Sequence, residues 1–419
     1  MIASSKHKMR AALLATAAMA TLVALSAGAA AQTAKDESIF FRTPKLGPNG
    51  VQLGSLIAYP RLAADAEYDD NIFRTKHDKK DDVVLHARPS LALVTDDWHP
   101  VNFQVNVGAD IARYMQYHDQ KFDGFDAAGR MMLDISDDAS FDTGGLISRS
   151  KLKRGLETDA TDIPGKDLAY WLYEWSSNFK YEGEPVVFRL SPVYRRFDYA
   201  KNLGSDIDRE EYKLDSRVGV VVGPLTTIFI DPSYTWVRYD KNLDTGGFKR
   251  NSEGYDVRLG VAYDASASFY IEAGAGYFRR NYQDSRLKPL TGISALVRSY
   301  WNPTDVLSFM LEVQRGATDS YISPTSGTTR AITNTGIKAR AAWEATDYII
   351  VDGGIGWNRL DFKSNDRTDN FYLFDIGAKY YLSRFLYLGL RYSHEWRNSD
   401  DNALDYHDNR VLFTISTQL

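Results

Sequence analysis

From Val101 to Ile111 the chain reads Val-Asn-Phe-Gln-Val-Asn-Val-Gly-Ala-Asp-Ile, apolar at every odd position and polar or glycine at every even one. A period of two belongs to a strand with one greasy and one wet face; a helix would repeat its apolar residues about every 3.6 positions. The same alternation runs through Tyr255 to Tyr263, Ile337 to Trp343 and Leu386 to Tyr392, with the charges confined to one face. Collecting such runs predicts eighteen strands. The first nine fall at 56–68, 82–94, 100–114, 125–136, 139–150, 167–181, 185–198, 210–222 and 225–239. The second nine fall at 254–263, 267–281, 292–302, 306–315, 334–344, 347–360, 370–381, 385–397 and 407–418.

Tight turns such as Asp137-Asp138, Gly223-Pro224 and Ser383-Arg384 alternate with long polar connections at 69–81, 115–124, 151–166, 199–209, 240–253, 282–291, 316–333, 361–369 and 398–406. One rim of turns and one of loops predicts an all-β fold, a transmembrane antiparallel up-and-down barrel of about 18 strands (16–18) with both termini periplasmic. Strands of about 11 to 15 residues, at roughly 3.3 Å per residue and about 40° of tilt, cover an apolar band near 25 Å. Trp175, Tyr212, Tyr255, Tyr263, Tyr277, Trp301, Trp343 and Tyr380 fall on the greasy face near strand ends, where amphipathic rings prefer the headgroup layer.

The N-terminus is an address. Lys6, Lys8 and Arg10 precede the uncharged, Ala- and Leu-rich run Ala11 to Ser26, and Ala29-Ala30-Ala31 ends it as a cleavage pattern. Residues 1–31 are read as a signal peptide cleaved before Gln32, 32–55 as a periplasmic or lumen-inserted segment, and 56–419 as the barrel. No later stretch approaches the roughly 18 apolar residues of a membrane helix. The 419 residues include no cysteine, which removes disulfides, thiolate metal sites and thiol nucleophiles, and export without cysteine suits a Gram-negative envelope. A formal net charge of -5 argues against nucleic acid as a partner.

Val411, Phe413, Ile415, Thr417 and Leu419 alternate to the last residue, which resembles the terminal strand read by outer-membrane assembly machinery, with Leu419 where an aromatic is usual. The opening of the barrel, Pro60-Arg61-Leu62 and then Glu67-Tyr68-Asp69-Asp70-Asn71-Ile72-Phe73-Arg74, resembles the putative β-barrel porin 2 family of proteobacterial outer-membrane proteins. That resemblance implies an outer-membrane channel, and in some relatives an association with surface polysaccharide export. The expected partners are outer-membrane lipid and lipopolysaccharide, the assembly machinery, and polysaccharide or its export partners.

Eighteen strands enclose an interior too wide for side chains alone to fill, so an aqueous channel is the default. By parity the pore lining comprises Arg61, Arg88, Asp110, Arg130, Arg189, Arg217, Asp256, Arg258, Glu272, Arg340, Asp352 and Arg391, with Asp65, Asp231, Arg298, Asp375 and Lys379 on the same face. Basic and acidic groups balance there, which predicts weak ion selectivity. They either brace the wall as cross-strand pairs or form a transverse field that guides a charged solute. Inward glycines, among them Gly260, Gly354 and Gly389, mark curvature or room for an insert, and Tyr59, Tyr270, Tyr300 and Tyr387 offer rings to sugars.

No catalytic set, metal site or cofactor is nominated. His86 has no serine beside it, and His394 points outward by parity. The pairs Asp69-Asp70, Asp81-Asp82 and Asp400-Asp401 could bind divalent or lipopolysaccharide-bridging cations, but the ordinary reading is solvated loop charge. The 24 residues before the first strand are too few for the plug of a TonB-dependent transporter. The sequence therefore points to a porin-like channel for polar solutes, with a conduit for exported surface polysaccharide as its specialised version. A non-conducting structural or assembly barrel is the alternative, and a rim hydrolase the third.

Overall fold

The computed structural model describes residues 34–95, 101–152, 169–200, 207–244, 247–265, 268–319, 331–363 and 366–419. The segment read as a signal peptide lies outside them. The strands are β1 (Val51–Leu53), β2 (Leu56–Asp69), β3 (Asp82–Thr95), β4 (Val101–Tyr114), β5 (Phe122–Asp134), β6 (Ala139–Lys151) and β7 (Ala169–Gly183). They continue with β8 (Val186–Tyr199), β9 (Arg209–Gly223), β10 (Thr226–Tyr239), β11 (Ser252–Asp264), β12 (Phe269–Tyr282) and β13 (Leu290–Thr304). The last six are β14 (Leu307–Asp319), β15 (Ala331–Thr346), β16 (Ile349–Phe362), β17 (Arg367–Ser383), β18 (Leu386–Ser399) and β19 (Tyr406–Gln418).

Each strand from β2 to β19 pairs antiparallel with the next, and β19 closes on β2 from Arg410 opposite Asp69 to Gln418 opposite Arg61. The result is a closed 18-strand antiparallel barrel, which leaves no sheet edge unpaired. The three-residue β1, inside the segment expected to precede the barrel, adds a short hairpin onto the start of β2. Among the described residues no helix is long and apolar enough to cross a membrane.

Burial is inverted relative to a water-soluble fold. On the greasy face Leu259, Ile293 and Ile355 are 65%, 67% and 62% exposed, whereas on the wet face Glu272, Asp231 and Arg217 are 1%, 4% and 6% exposed. Burying charge is tolerable where each group meets an opposite charge, and leaving leucine bare is favourable where the solvent is hydrocarbon.

Several strands run further than the alternation alone predicts. β5 begins at Phe122 and β11 at Ser252, while β15 spans Ala331–Thr346. Residues near the loop rim pair through their backbones after the apolar alternation has ended. The connection expected at 361–369 contracts to 363–366, because β16 and β17 remain paired as far as Phe362 opposite Arg367.

Candidate functional site

The wet face is built from charge networks that β-pairing alone does not dictate. In the first, the Arg217 guanidinium on β9 donates to Asp231 on β10 at 2.6 and 2.7 Å and to Glu272 on β12 at 2.8 Å. Glu272 also accepts from Arg298 on β13 at 2.6 Å and from the Tyr270 hydroxyl at 3.0 Å. Arg217 lies 3.7 Å over the Phe229 ring, and Arg189 stands opposite Arg217 in the β8–β9 register. The inward glycine at 260 serves this ring: a Cβ there would meet Phe229 Cζ at 2.4 Å, so the reason for Gly260 is room for an aromatic side chain.

A second network crosses β15 to β18. Arg340 donates to Asp352 at 2.6 Å, Arg391 donates to Asp352 at 2.7 and 2.8 Å, and Arg391 also donates to Asp375. A third joins β2, β3 and β4. Arg88 bonds Asp65 at 2.5 Å and lies 3.2 Å from Asp110, and His86 Nδ1 is 2.7 Å from Asp110. Arg130 donates to Asp142 at 2.7 Å, Arg195 to Glu174 at 2.6 Å, and the Ser294 hydroxyl to Asp256 at 2.5 Å, with Arg258 3.8 Å from Asp256. Arg61 reaches a hydroxyl pair instead, Ser416 at 3.0 Å and Tyr387 at 2.6 Å.

Two of the carboxylate partners were not among the residues read as lining the wall. Asp142 lies in β6, where Gly144-Gly145 interrupts the alternation. Glu174 lies in β7, which is apolar on both faces: Tyr170 and Leu172 are buried with Phe197 and Tyr199, while Tyr173 and Trp175 are exposed.

Residues 34–49 lie along the wet face at the rim of short turns. A helical turn at 34–37 ends with Phe41 N and Arg42 N donating to the Ser38 carbonyl at 2.9 Å. Ala34, Phe40 and Phe41 pack on Tyr270, Tyr300 and Met310, with the Phe41 and Tyr300 rings edge-on at 5.8 Å. Ile39 N donates to Ser308 Oγ at 3.0 Å, Asn302 to the Ala34 carbonyl at 2.8 Å, and Arg42 lies 2.6 Å from Glu344. Lys45 meets Asp347 at 2.6 Å at the rim, and this exposed contact raises the lysine pKa through the hydrogen bond and then the charge of Asp347. Tyr270 and Tyr300, read as rings free for sugars, are therefore covered by the chain's own N-terminal segment.

The carboxylates read as solvated loop charge are instead structural at three positions. Asp82 has no exposed surface and accepts from the backbone N–H groups of Val83, Met115, Gln116 and Tyr117. Asp69 accepts from Asn71 N at 2.8 Å, and Asp70 from Asn409 N and Nδ2 at 2.7 and 2.6 Å. Oxygens of Asp69, Asp70 and Asp408 converge within 4.8 Å. Arg74 and Arg410, 3.0 and 3.1 Å from Asp408, supply the countercharge. Burial opposes the charge on Arg74, but Glu395, Asp408 and Asp69 outweigh it and its pKa is raised.

A closed barrel clad in apolar side chains around a buried, charge-paired interior defines an outer-membrane β-barrel of the porin type. The chain belongs to the family described as "Putative beta-barrel porin 2", whose model matches residues 43–419. Among solved structures it is similar to OpdO of Pseudomonas aeruginosa, at 13% identity and a TM-score of 0.45, over 88% of this chain and 98% of that one. It is also similar to a BenF-like porin from Pseudomonas fluorescens Pf-5, at 11% identity and a TM-score of 0.46, over 88% and 100% of the two chains. No curated protein matches.

Proposed function

We propose that the protein is a passive or partner-gated outer-membrane channel for polar solutes, oriented with its short turns and both termini in the periplasm. The observation that carries this reading is the inverted burial: an ionic interior closed off by a wall whose outside suits only hydrocarbon. A conduit for exported surface polysaccharide is the specialised form of this reading, carried over from the resemblance of the opening motif and put to the test below. The strand ending at Leu419 is the segment offered to the assembly machinery.

The test is single-channel recording of the refolded mature protein in planar bilayers, with oligosaccharides added as blockers. Stable steps interrupted by polysaccharide fragments are the expected outcome. Steps indifferent to sugars would leave a general porin, and a barrel that inserts without conducting would shift the reading to a structural role.

A further inference from the structure

The charges of the wet face are matched unevenly. In the β15 to β18 network two carboxylates, Asp352 and Asp375, hold two guanidinium groups, Arg340 and Arg391. Gly377 and Gly354 make this possible, since a Cβ at 377 would stand 3.0 Å from Arg391 Cζ and one at 354 would stand 3.0 Å from Arg340 Cγ. The two arginines therefore lie flat on the wall, anchored and neutralised. Lys379 lies within electrostatic reach of Asp352, Arg391, Arg340 and Arg61, and neither Lys379 nor Arg61 has a carboxylate within 4.0 Å among the described residues. Four cations thus share two anions.

The two unmatched cations are held differently. Arg61 extends over β19, fixed at its Nε by Ser416 and at one Nη by the Tyr387 hydroxyl. Its remaining N–H donors have no partner among the described residues. Lys379 has no hydrogen-bond partner among the described residues, and its ladder neighbour on β18 is Gly389, which places no side chain over the ammonium. Beside them Tyr381 and Tyr387 form a ring pair at 5.4 Å, and Arg61 lies 5.8 Å from the centre of the Tyr387 ring. A pre-positioned guanidinium and a free ammonium suit an oxyanion, because charge-assisted hydrogen bonds are among the stronger polar contacts. Both rings are themselves buried, so they brace the Arg61 guanidinium and offer no face to a solute.

We propose that Arg61 and Lys379 form a recognition station on the lumen wall for the carboxylate of a polar solute, whether an acidic sugar or a small organic acid. This rests on the channel reading only in that the solute must enter the lumen; the station itself does not require that the barrel conduct. It also gives the wall a local preference for anions where the overall balance of charge predicts none.

The test is equilibrium binding to the full-length mature barrel in detergent, by calorimetry, with trigalacturonate, maltotriose and benzoate as probes. Trigalacturonate or benzoate should bind and maltotriose should not, and the stronger of the two acids names the source of the carboxylate. Arg61→Gln and Lys379→Gln should each weaken the preferred acid by roughly tenfold or more, as expected when a charged hydrogen bond is lost. Lys213→Gln, which removes a charge on β9 away from this station, should leave the affinity within about twofold. Raising salt should weaken binding to the unmodified protein, a readout that does not depend on any variant folding. Equal binding of acid and neutral sugar, or acid binding that survives both substitutions, would overturn the station. Conductance recorded in parallel keeps this result separate from failure of the channel reading.

Discussion

Glu272 accepts from Arg217, Arg298 and Tyr270 while almost wholly removed from solvent, so its charge is held by three donors on three strands. Glu272→Gln leaves two guanidinium groups without that charge in a buried setting. The expected loss of stability is roughly 3–5 kcal/mol, the cost typical of breaking a buried ion pair from one side. Urea unfolding in lipid vesicles followed by tryptophan fluorescence measures it, and a loss under about 1 kcal/mol would mean that water already screens the site. Parity alone placed Glu272 on the wet face. Its partners were less legible, because Arg217 lies three strands away and reaches it only where the wall curves. Gly260 was ambiguous for a related reason: its purpose depends on where the Phe229 ring turns.

At the scale of elements, the opening motif Tyr68-Asp69-Asp70-Asn71 is a clamp on the barrel's closure. Asn71 has no exposed surface, donates to the carbonyls of Thr75 and His407 at 2.9 Å, and accepts from Thr75 N. Asp70 binds Asn409 on β19, a residue 339 positions away. The motif could be seen in the sequence, but its task could not, because the task exists only once β19 meets β2. Asp70→Ala should cost about 1–3 kcal/mol and should speed hydrogen exchange at the Arg410 end of the seam before it does so at Gln418. Uniform exchange along the seam would count against a clamp. A second tie joins two loops: Asp284 accepts from Arg286 and from Lys249 N, and Arg286 donates to the Gly247 carbonyl at 2.5 Å. The Arg286 hydrogen bond, then the Lys249 N–H, hold the Asp284 carboxyl well below the usual aspartate range. A depressed folded-state pKa stabilises above the unfolded value, near about 4, and is lost as pH falls through the lower folded value. Proteolysis by pepsin at 283–289 should therefore stay slow at pH 4 and accelerate only under stronger acid, whereas Asp284→Asn should be cut readily at both.

For the molecule as a whole, the outer surface and the inner segment each carry a consequence. If Leu259 faces hydrocarbon, Leu259→Arg should cost about 2–4 kcal/mol in vesicles, while Leu243→Arg, in the β10–β11 loop, should cost little; equal effects would argue against a membrane belt. The belt was legible because hydrocarbon contact demands an unbroken period of two. The docking of residues 34–49 was not, because Phe40-Phe41 and Lys45 carry no periodicity, and their length allowed a periplasmic tail as readily as an insert. In the structure Phe41 meets Tyr300, Arg42 meets Glu344 and Lys45 meets Asp347, so one short segment occupies wall contributed by strands β12 to β15 and the turn that follows them. The exposed Lys45 pair contributes little by itself, and the buried aromatic contacts hold most of the docking energy. Because β2 to β19 close without it, deletion of residues 34–50 should leave an intact barrel. That barrel should show a larger single-channel conductance than the complete chain, and Phe41→Ala should produce intermediate, flickering steps as the segment leaves the wall and returns. A deletion that folds and conducts at the unmodified level would show that the segment lies beside the ion path without narrowing it.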